Sequence, residues 1–155
     1  MINICVLPEI AVVGRDFKDS LVISIVSPGR EHPKIEGEYV YKFHFHDVTE
    51  VYEYDDGRLI QPMSRTIAES IVDIAMNHRY LTEWIIHCEA GISRSPAVAI
   101  ALSKFVKLNP NRRNLKKMFP LFNKHVCQLI EEEMEESMKE LESQIKLDSK
   151  CGDEE

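Results

Sequence analysis

The chain has 155 residues, a net charge of −7, 44% hydrophobic and 29% charged residues, a size and balance that suit one globular domain with one substantial core. No apolar run approaches the roughly 20 residues that cross a bilayer, so no membrane insertion is expected, and the excess of acid argues against general nucleic-acid binding. The N-terminus shows no basic region followed by a cleavable apolar one, and Cys5, Cys88, Cys127 and Cys151 lie far apart without metal-like spacing, so a reducing, cytoplasmic setting without a bound metal is expected.

In chain order, Ile2 to Val6 reads as a short strand ended by Pro8, and residues 9–19 as one helical turn and a polar turn. The β-branched run Leu21 to Val26, closed by Ser27-Pro28-Gly29, reads as a buried strand. Residues 28–37 are turn-rich. Tyr39 to His46 alternates and carries aromatics, so it reads as a further strand ending at Asp47. Residues 47–62 read as a polar loop with Asp55-Asp56-Gly57 as a turn. Ile67, Ile71, Ile74 and Ala75 recur at helical spacing behind a capping Ser64. Trp84 to His87 reads as a strand. Ala97 to Leu102 reads as a buried helix, with Pro96 in its first turn. Pro110-Asn111 opens a short basic helix. Pro120 opens another, in which Phe122, Val126, Leu129 and Ile130 face inward and Met134, Met138, Leu141 and Ile145 continue a thin apolar stripe. The expected domain is 1–147, with a flexible acidic tail over 148–155. Strands alternating with helices predict an α/β fold with a central, mostly parallel sheet of about four to five strands flanked by helices.

Charge is uneven along the chain. Between Lys104 and Lys124 every charged residue is basic, and from Glu131 onward acid dominates. A solvated helix surface explains the first block; a rim that attracts a polyanion is the sharper reading.

The chemistry gathers at Ile85-Ile86-His87-Cys88-Glu89-Ala90-Gly91-Ile92-Ser93-Arg94-Ser95-Pro96. A loop between a strand and a helix N-terminus presents unpaired backbone N–H groups and the positive end of the helix dipole, so a phosphate fits there. Gly91 lets the backbone of residues Glu89, Ala90, Gly91, Ile92, Ser93 and Arg94 curl around the ligand. Arg94 supplies a two-pronged hydrogen bond to phosphate oxygens. The same field favours a thiolate at Cys88, and Ser95 is placed to hydrogen-bond the sulfur as it leaves. His87 precedes Cys88 on the strand, so it points away from the pocket and orients the loop through backbone hydrogen bonds. Cys88 alone would read as a packing residue and Arg94 alone as a surface ion pair; together with Gly91 and Ser95 they read as a site.

His-Cys-x-x-Gly-x-x-Arg-Ser resembles the signature of the protein tyrosine phosphatase superfamily, with its cysteine-x5-arginine core. Residues Gly91 to Pro96 look most like its small dual-specificity branch. The resemblance covers roughly residues 20–130 and is strongest over 85–105. It implies a phosphatase-like fold, a phosphocysteine intermediate on Cys88, phosphate binding by Arg94, an upstream aspartate that protonates the leaving oxygen, and no metal or organic cofactor. The motif order, past mid-chain with aspartates before it, separates this pattern from low-molecular-weight phosphatases; rhodanese-like sulfurtransferases fit it less well. Asp47, directly after a strand, is the first candidate for the acid, with Asp55 and Asp56 as alternatives in a turn. Glu89 either lines the pocket rim, tuning substrate choice, or points to solvent. No counterpart of a pocket-deepening aromatic loop is found, which implies a shallow pocket open to phosphoserine, phosphothreonine and phosphotyrosine. Cys5 and Cys127 read as core residues, with pairing to Cys88 under oxidation as the alternative.

The expected activity is hydrolysis of phosphomonoesters on a phosphorylated protein. The rivals are a phosphatase acting on another phosphorylated polyanion, an RNA 5′ end or a phosphoinositide, and a phospho-binding module without turnover. The sequence sets no oligomeric state.

Overall fold

A computed structural model describes residues 1–152 of the chain. In chain order its elements are β1 (Ile2–Pro8), a 3₁₀ turn (Glu9–Ala11), β2 (Leu21–Val26), β3 (Tyr39–His44), a hairpin of β4 (Tyr52–Glu53) and β5 (Leu59–Ile60), α1 (Arg65–Asn77), β6 (Glu83–Cys88), α2 (Arg94–Ser103), β7 (Leu108–Asn109), α3 (Arg112–Met118) and α4 (Lys124–Gly152).

Five strands form one sheet in the order β3-β2-β6-β1-β7, and every neighbouring pair is parallel. β2 is buried at every residue, as its continuous β-branched run requires when both faces of a parallel strand are covered. The four helices send Ala68, Ala97, Leu115 and Val126 into one large core against Ile4, Ile23, Trp84 and Ile86 of the sheet. The opposite face is closed differently from the expected helix-flanked sheet: Val12, Phe17 and Ile35, from irregular segments, pack on Val22 and Ile85.

Local signals set most helix starts. Ser64 Oγ accepts the Ile67 amide at 3.3 Å and caps α1, and Asn111 Oδ1 accepts the Asn114 amide at 2.9 Å and caps α3. α2 is buried from Arg94 through Leu102, in keeping with a helix that is apolar on nearly all sides. α4 runs 29 residues, so the thin apolar stripe extends the helix. The end expected to be a flexible tail from residue 148 is helical as far as Gly152, and Gln144 Nε2 donates to Asp148 Oδ1 at 3.1 Å across one turn; residues 153–155 lie outside the described residues.

The larger departures from expectation concern three segments. β3 stops at His44 rather than His46, because only Tyr39 to His44 find partners on β2. The 47–62 loop contains the β4–β5 hairpin. β7 was not expected at all; it is two residues long and defined only by pairing with Ile2 and Asn3. The carboxyl ends of β1, β2, β3 and β6 lie side by side, as the registers Pro8–Cys88, Ser24–His87 and Val26–His44 show. In open parallel sheets this edge is where ligands bind. Among the described residues no helix is long and apolar enough to cross a membrane.

Candidate active site

Cys88 is the last residue of β6 and Arg94 the first of α2, so the loop between them turns from the centre of the sheet directly into a helix N-terminus. Gly91 sits at φ +71°, and a Cβ there would come 2.6 Å from Pro8 N and 2.8 Å from Leu7 C. Both its backbone conformation and the strand end beneath it demand glycine. The loop is fastened from two sides: the Glu9 amide donates to Glu89 O at 3.1 Å, and the Asn123 amide to Ser93 O at 3.0 Å. Cys88 is buried. Its Sγ accepts the Gly91 amide at 3.2 Å and lies 3.1 Å from Ser95 Oγ, which fixes the sulfur against the inner wall of the loop.

Arg94 is only 5% exposed. Its Nη1 donates to Phe45 O at 2.8 Å and to Ser27 Oγ at 3.1 Å, just past the ends of β3 and β2. Nη2 lies 3.5 Å from Glu89 Oε1. Nε is buried without a hydrogen-bond partner among the described residues. One edge of the guanidinium is therefore anchored by the strand ends, while a buried donor remains on the other.

Glu89 turns toward the site. It accepts the Ser27 amide at 2.8 Å on Oε1 and pairs with Arg30 at 2.8 Å through Oε2; Arg30 also reaches Glu9 at 3.1 Å. Partial burial pushes the Glu89 carboxyl up, but the hydrogen bonds from Ser27 and Arg30 and the charge of Arg94 outweigh it and hold the group down at about 2. Comparison with protein-family models finds no match. Comparisons with curated proteins and with solved structures find none either.

His87 is fully buried and its ring bonds on both sides. Nδ1 lies 3.3 Å from Cys88 O, and a carbonyl only accepts, so Nδ1 carries the proton. Nε2 is then an acceptor and takes the hydroxyl proton of Ser24. Ser24 in turn accepts from His32 Nδ1 at 2.7 Å, which leaves His32 Nε2 as a buried acceptor without a partner among the described residues. Burial first, then the neighbouring His44, Lys42 and His87, push His32 down to about 4. Burial likewise lowers His87, against an upward pull from its bond to Cys88 O.

The three candidate aspartates separate in space. Asp47 Oδ1 accepts Ser93 Oγ at 2.7 Å and Asn123 Nδ2 at 2.9 Å, which ties it to the loop. Asp55 and Asp56 fall in the turn between β4 and β5, and Asp56 is engaged by Arg58 at 2.6 Å. Ala90 and Ile92 are exposed on the outer side of the loop. A groove of about 510 Å³ leads off the loop, lined by Asp47, Tyr52, Ser93, Leu121, Phe122 and Lys124 among others. Among the described residues no cluster of His, Cys, Asp or Glu could hold a metal ion.

The sequence reading did not single out Ser24, Ser27, Arg30 or Asn123. Ser24 carried a signal: a hydroxyl in the middle of a buried apolar strand must find a partner. Asn123 was readable as a helix cap, but its link to Asp47, 76 positions away, was not.

Proposed function

We propose that the chain is a cysteine-dependent phosphomonoester hydrolase of the dual-specificity phosphatase kind, acting on phosphorylated protein side chains. One observation carries this reading: a buried sulfur, held by the Gly91 amide and beside the Ser95 hydroxyl, shares a strand–loop–helix turn with a buried arginine whose Nε has no hydrogen-bond partner among the described residues. A phosphate oxygen is the ligand that such a donor, beside a helix N-terminus, accommodates best.

In the first step Cys88 Sγ attacks phosphorus. The S–P bond forms as the P–O bond to the alcohol breaks, and Asp47 gives its proton to the departing oxygen. In the second, water attacks phosphorus, Asp47 takes the proton, and the S–P bond breaks to release inorganic phosphate, with Ser95 donating to the departing sulfur. Arg94 and the loop amides neutralise the charge on the transferring group. Ser27 and Phe45 O hold the guanidinium edge that faces the strand ends, and Glu89 pairs with Nη2.

A protein substrate is favoured over a polyanion by the fate of the basic segment. Lys104 and Arg112 are paired with Glu131 and Glu135 of α4, and of the basic residues between 104 and 124 only Lys124 lines the groove beside the loop.

The test is turnover of an aryl phosphate. Wild type is expected to release phosphate, and a quenched reaction to show one phosphate on Cys88 by mass spectrometry. Cys88→Ser is expected to lose essentially all activity, and Arg94→Lys about 10²-fold or more, because a point charge replaces a planar two-pronged donor. Retained turnover in Cys88→Ser overturns the covalent mechanism, and phosphopeptide binding without turnover by wild type points instead to a binding module.

A further inference from the structure

We propose that Asn123 is a positioning residue for the acid, and that with Ser93 it decides which oxygen of Asp47 carries the transferable proton. The inference rests on the reading of Asp47 as the acid. It concerns a residue from a different part of the fold.

Asn123 is 5% exposed and stands immediately before α4. Its side-chain Oδ1 accepts the Val126 amide at 3.0 Å, capping the helix. That bond fixes the orientation of the amide, since an NH₂ group facing Val126 N–H would set donor against donor. Nδ2 must therefore point the other way, where it donates to Asp47 Oδ1 at 2.9 Å and Val48 O at 3.1 Å. Its backbone amide donates to Ser93 O at 3.0 Å. Ser93 Oγ closes the ring by donating to Asp47 Oδ1 at 2.7 Å. One buried residue thus clamps the segment after β3, the catalytic loop and the start of α4 to each other.

Asp47 belongs to an exposed segment that would otherwise be free to swing. The clamp removes that freedom. It also distinguishes the two carboxylate oxygens. Oδ1 accepts two hydrogen bonds, so it stays an acceptor in both protonation states. Oδ2 accepts none among the described residues, so the proton of the acid form resides there and Oδ2 is the oxygen that serves the leaving group. A fixed position of this kind is what a general acid needs, because its contribution depends on geometry before anything else.

The test uses Asn123→Ser and Asn123→Thr. Both retain a side-chain oxygen able to cap Val126 N–H, so α4 stays capped and both variants should fold. Neither places an N–H on Asp47, because each side chain is too short to cap the helix and reach the carboxylate as well. The readout is kcat/KM, which covers only the steps through P–O cleavage, on two small substrates. Phenyl phosphate releases a basic phenolate that needs the acid, and 2,4-dinitrophenyl phosphate releases one that does not. Both variants are expected to lose about 10-fold or more on phenyl phosphate and less than about 3-fold on the dinitrophenyl ester, within the 10²–10⁴ that general acids supply. Asp47→Asn should show the same pattern, and adding Asn123→Ser to it should cost little more, because residues acting through one step are not additive. Equal losses on both esters, or no loss on either, overturn the role of Asn123. If Asp47→Asn is itself indifferent to the leaving group, the acid assignment falls and takes this inference with it. Cys88→Ser tests the covalent step independently of either.

Discussion

At Glu89 a single carboxylate holds the amide of Ser27, the guanidinium of Arg30 and one nitrogen of Arg94. Its folded value of about 2 lies below the ordinary 4.5, so the folded state binds its proton less readily than the unfolded chain does. The stability this group contributes is therefore complete above about pH 4.5 and is lost as pH falls toward about 2. Urea midpoints of wild type and Glu89→Gln should differ most at neutral pH and converge as pH drops through this window. A gap that stays constant down to about pH 3 would mean that the charge of Glu89 is not what holds Ser27 and the arginines. Side chains of this kind explain what was and was not legible at the residue scale. Cys88, Gly91, Arg94 and Ser95 announce themselves because the loop is contiguous in sequence. The direction of Glu89 was undecided there because its partners come from the ends of other strands.

Among the elements, β2 and α2 were readable because each is apolar on every side, and a segment buried all round needs no knowledge of its neighbours to be recognised. β7 and the β4–β5 hairpin were not, because strands of two residues have no period of their own and exist only through their partners. α4 divides into two parts for the same reason. Ile130 and Met134 are fully buried against the core, whereas every residue from Lys139 to Lys150 is exposed, including Leu141, Ile145 and Leu147. The first part should carry the stability. Met134→Ala is expected to cost about 2–5 kcal/mol by the removal of buried methylenes. A chain ending after Ser143 should unfold within about 0.5 kcal/mol of the full one, as changes confined to exposed positions usually do. Denaturant midpoints of the two variants check this. A truncation as costly as Met134→Ala would show that the overhanging turns pack on something in solution.

Taken as a whole, the molecule combines a parallel sheet that was legible from its alternating strands and helices with a charge distribution that was not. Read along the sequence, residues 104–124 form a basic block and residues beyond 131 an acidic one. Folding lays part of the second over the first: Arg112 bonds Glu131 at 2.6 Å, and Lys104 reaches Glu135 at 3.3 Å. Linear charge runs report only what the backbone strings together, and pairs this far apart in sequence depend on how α2, α3 and α4 pack. The consequence is measurable. A polyanion gains affinity by releasing counterions from its phosphates to free cations, and that gain falls steeply with salt. With Lys104 and Arg112 paired to α4, only Lys124 of the block lining the groove beside the loop, and a net charge of −7, little such gain is available at the site. Cys88→Ser, which on the proposed mechanism does not turn over, should therefore bind a 5′-phosphorylated RNA more weakly than a phosphopeptide. Its RNA affinity should change by less than about 10-fold between 50 and 200 mM salt, far short of the 10³–10⁵ of proteins that neutralise many phosphates. Glu131→Gln frees Arg112 and one contact of Lys104, and should raise RNA affinity and its salt dependence together. Tight, steeply salt-dependent RNA binding by Cys88→Ser alone would reverse the preference for a protein substrate and make the basic face, rather than the groove beside Asp47, the place where the substrate is chosen.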